Sequence, residues 1–122
     1  MHPTSLHVAK VLGVTPMTWT TEDDLQAEIQ RVLDEQGIPA RREVHLGQDI
    51  GRIDLLAGNI GIEVKVASTS SWADVTRQLT RYSWADEVDD LILVTTTARH
   101  RPVPSELNGV PVRRVFLLEA GL

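Results

Sequence analysis

The chain has 122 residues, of which 42% are hydrophobic and 24% charged, as in one globular domain. It contains no cysteine, which excludes disulfides, thiol catalysis and a cysteine-ligated iron–sulfur cluster. Its net charge of −5 disfavours a protein that coats polyanions, but not an enzyme that holds metal ions in an acidic site. No apolar run approaches the ~20 residues that cross a bilayer, and no signal peptide is evident. We therefore expect a cytoplasmic protein with no membrane partner.

The first half of the chain predicts an arm, a helix and three strands. Residues 1–20 are expected to form an N-terminal arm or short helix, and residues 21–122 a single domain. Thr21 and Asp24 have the spacing of a capping box, and the apolar residues after them predict a helix that ends at Gly37. Strands are predicted at about Arg41–Leu46, Arg52–Ala57 and Ile60–Val66.

The second half predicts a helix and two more strands. Ser70 or Ser71 caps a helix that runs to about Trp84, and the apolar run Asp90–Thr96 is typical of a strand buried on both faces. A connection with one helical turn and a last strand are expected at Pro102–Asn108 and Val112–Leu118. The order α-β-β-β-α-β-β predicts a mixed α/β domain, with a central mixed sheet of about five strands flanked by helices.

Two carboxylates and a lysine fall on neighbouring strands. Side chains alternate along a strand, so Glu63 and Lys65 point to the same side of the sheet. Asp54 precedes Glu63 by nine residues, and Gly58-Asn59 between them is a strong hairpin signal. A tight turn there would bring Asp54 and Glu63 together on one metal ion.

Polar residues also stand beside the apolar faces of the two flanking helices. Glu28 lies one turn after Leu25 on the first helix, and Gln78 lies one turn before Tyr82 on the second. A Glu-x-Lys sequence on a strand usually forms only a solvent-facing ion pair. The coincidence of these polar residues with an otherwise apolar strand favours a functional site instead.

The ordered set of Glu28, Asp54, Glu63-Val-Lys65 and Gln78-x-x-x-Tyr82 resembles the PD-(D/E)xK nuclease superfamily, over about Glu22 to Val94. The Gln-x-x-x-Tyr element is similar to that of RecB-type and lambda-exonuclease-type members, and the lack of cysteine argues against their iron–sulfur branch. Isoleucine stands where the name of the superfamily has proline. The resemblance implies a restriction-endonuclease-like core and a metal-dependent deoxyribonuclease.

The resemblance also implies a role for each residue. Asp54, Glu63 and the backbone carbonyl of Val64 would hold Mg²⁺ or Mn²⁺ through oxygen ligands. Glu28 would bind a metal-ligating water or help to hold a second ion. Lys65 would orient the attacking water or stabilise charge on the phosphate.

DNA is the implied partner. Gln78 would orient Lys65 or a phosphate, and further DNA contacts are expected from Arg52, Arg77, Arg81 and Tyr82, with a basic loop at Arg99, His100 and Arg101. Trp84 could stack on a base or on a partner subunit, so a homodimer or a higher homo-oligomer stays open.

Two alternatives to a general nuclease also stay open. The first is a Holliday-junction-resolvase-type endonuclease, which acts as a dimer on branched DNA. The second is a catalytically idle module that uses the same fold to bind DNA or protein. The presence of Asp54, Glu63 and Lys65 together disfavours the idle module.

Overall fold

The computed structural model describes residues 4–98, 100 and 103–118. Within those ranges the chain forms three helices and six strands, in the order α1 Ser5–Val14, α2 Glu22–Glu35, β1 Ala40–His45, β2 Arg52–Ala57, β3 Ile60–Lys65, α3 Trp72–Tyr82, β4 Asp90–Thr95, β5 Glu106–Leu107 and β6 Val110–Phe116. No helix in the described ranges is both long and apolar enough to cross a membrane.

The six strands form one mixed sheet in the order β1-β2-β3-β4-β6-β5. Strands β1, β2 and β3 form an antiparallel meander, because hairpin connections join them. Strand β4 pairs parallel to both β3 and β6, and the short β5 pairs antiparallel to β6. The predicted mixed α/β class with a central mixed sheet is therefore confirmed, with six strands rather than five.

Strand β5 corrects the sequence prediction of a helical turn in this segment. Glu106 and Leu107 pair with Pro111 and Val110 across a turn at Asn108-Gly109. Both turn residues have positive φ, 52° and 80°. A two-residue hairpin turn with positive φ at both positions strongly favours Asn-Gly, and this preference overrides a helical connection. The last strand accordingly begins at Val110, two residues earlier than expected.

Helices cover both faces of the sheet. Helices α1 and α2 bury one face, in a cluster that includes Val8, Leu12, Leu25, Ile29, Ile62 and Val94. Helix α3 covers the other face, in a cluster that includes Val75, Leu79, Tyr82, Leu91 and Leu93. Strand β4 contributes to both clusters, which explains its unbroken apolar sequence. Helix α1, which lies in the predicted N-terminal arm, is part of this core.

The direction of α2 decides which of its residues lie near the functional end of the sheet. The capping box forms as predicted, with the Asp24 amide donating to Thr21 Oγ1 at 3.1 Å and the Thr21 amide to Asp24 Oδ2 at 3.1 Å. Helix α2 then runs antiparallel to β1, since Arg42 contacts Asp23 near its start and Ala40 contacts Gln30 further along. The first turn of α2 therefore lies toward the end of the sheet where β1 and β3 finish.

Candidate active site

The β2–β3 hairpin turns at Gly58-Asn59, as the sequence predicts, and opens toward its far end. Its ladder runs from Ala57–Ile60 to Leu55–Ile62 and ends there. The next pair in this register is Asp54 and Glu63. At that level the Val64 amide donates to Asp54 Oδ2 at 2.8 Å, so a side-chain bond takes the place of a ladder bond. The opening holds the two predicted carboxylates opposite each other.

The neighbouring β1–β2 ladder is interrupted at the same level. In this ladder Arg42 pairs with Leu55 and Val44 pairs with Ile53. Glu43 and Asp54 stand opposite each other between these two pairs but are not themselves paired. Glu43 has φ of 54°, a region that residues with side chains rarely adopt. Such strain clusters at functional sites. Asp54 thus stands where both of its neighbouring ladders break, which lets its carboxylate turn toward β3.

Glu63 is the most deeply buried acidic residue in the described ranges, with 2% of its surface exposed. Its Oε2 lies 3.3 Å from Lys65 Nζ, whereas its Oε1 is buried without a hydrogen-bond partner among the described residues. Burial and the nearby Asp54 charge raise the pKa of Glu63 to about 8, against the opposing effect of Lys65. A buried carboxylate with one unpaired oxygen is costly, so this geometry favours the binding of a further cation or proton.

Asp54 and Lys65 complete the centre of the site. Burial raises the pKa of Asp54, although its bond from Val64 and the charge of Lys65 act in the opposite direction. Lys65 is itself mostly buried, with 13% of its side chain exposed. Two carboxylates thus share a single ammonium group, and the cluster carries excess negative charge when all three groups are ionised.

Glu22 is a third carboxylate at this site, and the sequence reasoning missed it. Burial and the Asp54 charge raise the pKa of Glu22, while Lys65 and the backbone amide of Val66 oppose the shift. These influences indicate that the first residue of α2 lies near the start of β2 and the end of β3. In the sequence Glu22 stands directly after the Thr21 cap, outside the apolar stripe of the helix.

Glu28, which the sequence predicted for this role, lies elsewhere. Its carboxylate pairs with Arg31 at 2.9 Å and accepts a bond from the Thr18 amide at 3.4 Å. The bond from Arg31 lowers the pKa of Glu28, and no group of the Asp54–Glu63 cluster contributes to that shift. Six residues of helix separate it from Glu22, about 9 Å along the axis. The structure therefore does not bring Glu28 to Asp54 and Glu63, whereas the charges of Asp54 and Lys65 do act on Glu22.

Helix α3 contributes a chain of hydrogen bonds behind the carboxylates. Gln78 Nε2 donates to Tyr82 Oη at 3.0 Å, and Tyr82 Oη donates to the Arg52 carbonyl at 2.9 Å. Burial and the charges of Glu63 and Asp54 raise the pKa of Tyr82. Tyr82 is only 2% exposed, so its hydroxyl joins α3 to the start of β2 rather than facing a DNA strand, as the sequence had suggested. Gln78 contacts Tyr82, not Lys65, in the described part of the chain.

The three arginines that were predicted to contact DNA are exposed on the surface. Arg52 is 3.8 Å from Glu43, Arg77 pairs with Asp74, and Arg81 is exposed on α3. Arg99 and Arg101 lie outside the described residues. His100 is buried instead of exposed on a basic loop, with Nδ1 at 2.8 Å from Thr95 Oγ1.

Few side chains of the site could serve as metal ligands. In the ranges that the structure describes, no three Asp, Glu, His or Cys side chains form a group that could hold a metal ion by themselves. Mg²⁺, however, usually binds through one or two carboxylates and keeps several waters, so Asp54 and Glu63 with one backbone carbonyl fit its requirements. The Val64 carbonyl is suited to this, because the amide of the same residue points into the β2–β3 opening.

Comparison of the chain with protein-family models, with curated protein sequences and with solved structures finds no match in any of the three.

Proposed function

We propose that this protein is a metal-dependent DNA nuclease with a restriction-endonuclease-like core. The observation that carries the proposal is the buried Glu63 carboxylate, with one oxygen unpaired, opposite Asp54 and 3.3 Å from Lys65. A simple structural ion pair would satisfy its carboxylate with the lysine alone. A second, half-buried acid in the same opening requires more positive charge than Lys65 supplies.

Each residue of the site would have a separate role in phosphodiester hydrolysis. Asp54, Glu63 and the Val64 carbonyl would hold Mg²⁺ or Mn²⁺, which when bound lowers the pKa of a water and neutralises charge on the phosphate. Lys65 is placed to orient the attacking water or to donate to a phosphoryl oxygen as its charge increases. Glu22 would accept hydrogen bonds from Lys65 or from water at the edge of the site.

The groups behind the carboxylates position them. The Gln78–Tyr82–Arg52 chain of hydrogen bonds fixes the start of β2, two residues before Asp54. Arg52, Arg77 and Arg81 are exposed cations that would contact phosphates outside the site. Such exposed cations would let a chain with net charge −5 bind DNA.

A cleavage assay tests this function. The purified protein is incubated with linear, circular single-stranded and four-way-junction DNA in Mg²⁺, Mn²⁺ or EDTA. We expect cleavage only with metal, and losses of two or more orders of magnitude in Asp54→Asn, Glu63→Gln and Lys65→Ala. Glu28→Gln is the matched control and should retain wild-type activity.

Each contrary result has a definite meaning. Equal cleavage by the wild type and Glu63→Gln would assign the activity to another source. DNA binding without cleavage of any substrate would overturn the nuclease proposal in favour of an idle binding module. Selective cleavage of the four-way junction by a dimer would instead assign the resolvase-type function.

A further inference from the structure

A second surface lies level with the candidate site, two strands away on β6. Through the intervening strand β4, Glu63 is in register with Arg114, and Lys65 is in register with Phe116. Residues in register on parallel strands direct their side chains to the same face, and two strand spacings span about 10 Å. Arg114 and Phe116 therefore stand in the same two rows as Glu63 and Lys65, with the buried side chains of β4 between the two pairs.

Arg114 and Phe116 form one cationic aromatic surface. The Arg114 guanidinium carbon lies 5.0 Å from the centre of the Phe116 ring, and 38% of Phe116 is exposed. Arg114 Nε is buried without a hydrogen-bond partner, and the guanidinium forms no ion pair within the described ranges. Neighbouring Arg113 instead donates to Ser5 Oγ at 3.1 Å on the opposite face.

The buried Arg114 Nε is costly, because it loses water without gaining a hydrogen-bond acceptor. The partly exposed Phe116 ring beside the guanidinium would bury more apolar surface if a flat group stacked on it. A ligand that brings both an anion and a flat apolar ring would satisfy both residues at once. A nucleotide has these two parts, a phosphate and a base.

We infer that Arg114 and Phe116 bind one nucleotide of a single DNA strand, adjacent to the nucleotide at Lys65. The base stacks on the Phe116 ring, and its phosphate accepts hydrogen bonds from Arg114. This inference rests on the proposed nuclease function and adds a substrate preference to it. A double helix keeps its bases stacked on each other, so the surface selects an unpaired strand.

Anisotropy of a fluorescein-labelled 12-nucleotide oligothymidine, measured in EDTA, tests the stacking. We expect Phe116→Leu to weaken binding about 5- to 150-fold, which corresponds to about 1–3 kcal/mol of stacking on one base. Phe116→Tyr keeps the ring and should bind as the wild type does. An abasic strand of the same length should bind the wild type and Phe116→Leu equally weakly. Equal oligothymidine affinities for the wild type and a folded Phe116→Leu, or tight binding of the abasic strand, would overturn the inference.

A pair of neighbouring arginines tests the phosphate contact. Arg114→Gln should weaken binding of both the normal and the abasic strand, and should reduce the slope of log Kd against log salt by about 0.7. Arg113→Gln changes the same charge on the opposite face of β6 and should match the wild type. Identical slopes for the two variants would overturn the contact.

The test of the nucleotide subsite can fail or succeed independently of the test of the nuclease function. A wild-type protein that binds oligothymidine through Phe116 but cleaves nothing overturns the nuclease function and leaves the nucleotide subsite in place. A protein that cleaves DNA while Phe116→Leu binds normally overturns the subsite alone. Absence of oligothymidine binding by the wild type overturns the subsite whether or not cleavage occurs.

Discussion

At the scale of single residues, Glu63 is the most deeply buried of the described acids and has the least compensation for its charge. Folding removes its carboxylate from water and places it opposite Asp54. Among the described residues, Lys65 is the one cation that pairs with it. The pKa of Glu63 is raised because burial and the Asp54 charge outweigh the effect of Lys65. The folded protein therefore holds the proton of Glu63 more tightly than the unfolded chain does. A divalent cation in the opening would replace that proton.

The imbalance predicts how stability depends on pH without metal. The pKa of Glu63 rises from its ordinary 4.5 to about 8 on folding. Between these values the folded state binds more protons than the unfolded state, so the free energy of unfolding falls as pH increases. We expect urea unfolding in EDTA to show a loss on the order of a few kcal/mol from pH 5 to pH 8.

Two substitutions separate this effect from other titrations. Glu63→Gln cannot ionise, so its stability should change less over this pH range and should exceed that of the wild type at pH 8. Glu28→Gln should follow the wild-type curve, because Glu28 is paired with Arg31, has a lowered pKa and stays ionised throughout. Parallel curves for Glu63→Gln and the wild type would contradict the buried-acid interpretation.

The exchange of Glu28 for Glu22 gives a second residue-scale prediction. The charges of Lys65 and Asp54 both act on the pKa of Glu22, whereas Glu28 is paired with Arg31. In single-turnover cleavage with Mg²⁺, Glu22→Gln should be slower than the wild type by about 10- to 100-fold, as expected when a group that orients the site is lost. Glu28→Gln should be within about twofold of the wild type. The reverse order of the two rates would restore the sequence prediction.

The sequence indicates the position of Glu22 through the direction in which α2 runs, and not through the periodicity of its apolar residues. The capping box fixes the start of α2 at Glu22, and a short connection to β1 makes the two elements antiparallel. Antiparallel strands then return the chain to the same end at Asp54 and Glu63. Periodicity identified Glu28 because it lies at the margin of the apolar face, but periodicity carries no information on position along the axis.

At the scale of elements, α3 joins the sheet through one buried hydroxyl. Tyr82→Phe removes the bond to the Arg52 carbonyl, so we expect a loss of roughly 1 kcal/mol in stability, with a slower rate of cleavage. Gln78→Ala removes only a bond from a partly exposed amide, and we expect a lower cleavage rate with little change in melting temperature. Thermal melts and cleavage rates per folded molecule give both quantities.

Arg81→Gln serves as the control on the same helix. Arg81 is exposed, so its loss should weaken DNA binding and its salt dependence without a rate defect at saturating protein. If Gln78→Ala instead destabilises the protein as much as Tyr82→Phe, with a normal rate per folded molecule, Gln78 is only structural.

Local signals predicted the elements well where those signals were strong. The Thr21 capping box, the Gly58-Asn59 turn and the apolar β4 sequence each have one dominant physical cause. Strand β5 is signalled in the sequence only by the Asn108-Gly109 turn that joins it to β6. Two residues of strand carry no periodicity, so the turn was the available signal.

At the scale of the whole molecule, the topology explains why the site forms where it does. The crossover through α3 makes β4 parallel to β3, and β6 is parallel to β4, so three carboxyl ends meet at one edge of the sheet. Ligands of open α/β sheets bind at this edge. The first turn of α2 and the start of β2 reach the same edge.

The pairing of Asp54 with Glu63 was predictable from the hairpin, whereas the breaks in the ladders around them were not. Nothing in the sequence near Glu43 signals a positive φ, because glutamate has no preference for that region. The burial of Tyr82 and the rows that link Glu63 to Arg114 depend on long-range packing and register. Such features follow from the assembled sheet and not from any local pattern.

Calorimetric titration of the metal-free protein with Mn²⁺ tests the central claim most directly. We expect the wild type and Glu28→Gln to bind Mn²⁺, and Asp54→Asn and Glu63→Gln each to lose that binding, because both carboxylates face the same opening. Absence of binding by the wild type, or undiminished binding in both Asp54→Asn and Glu63→Gln, would contradict the metal site.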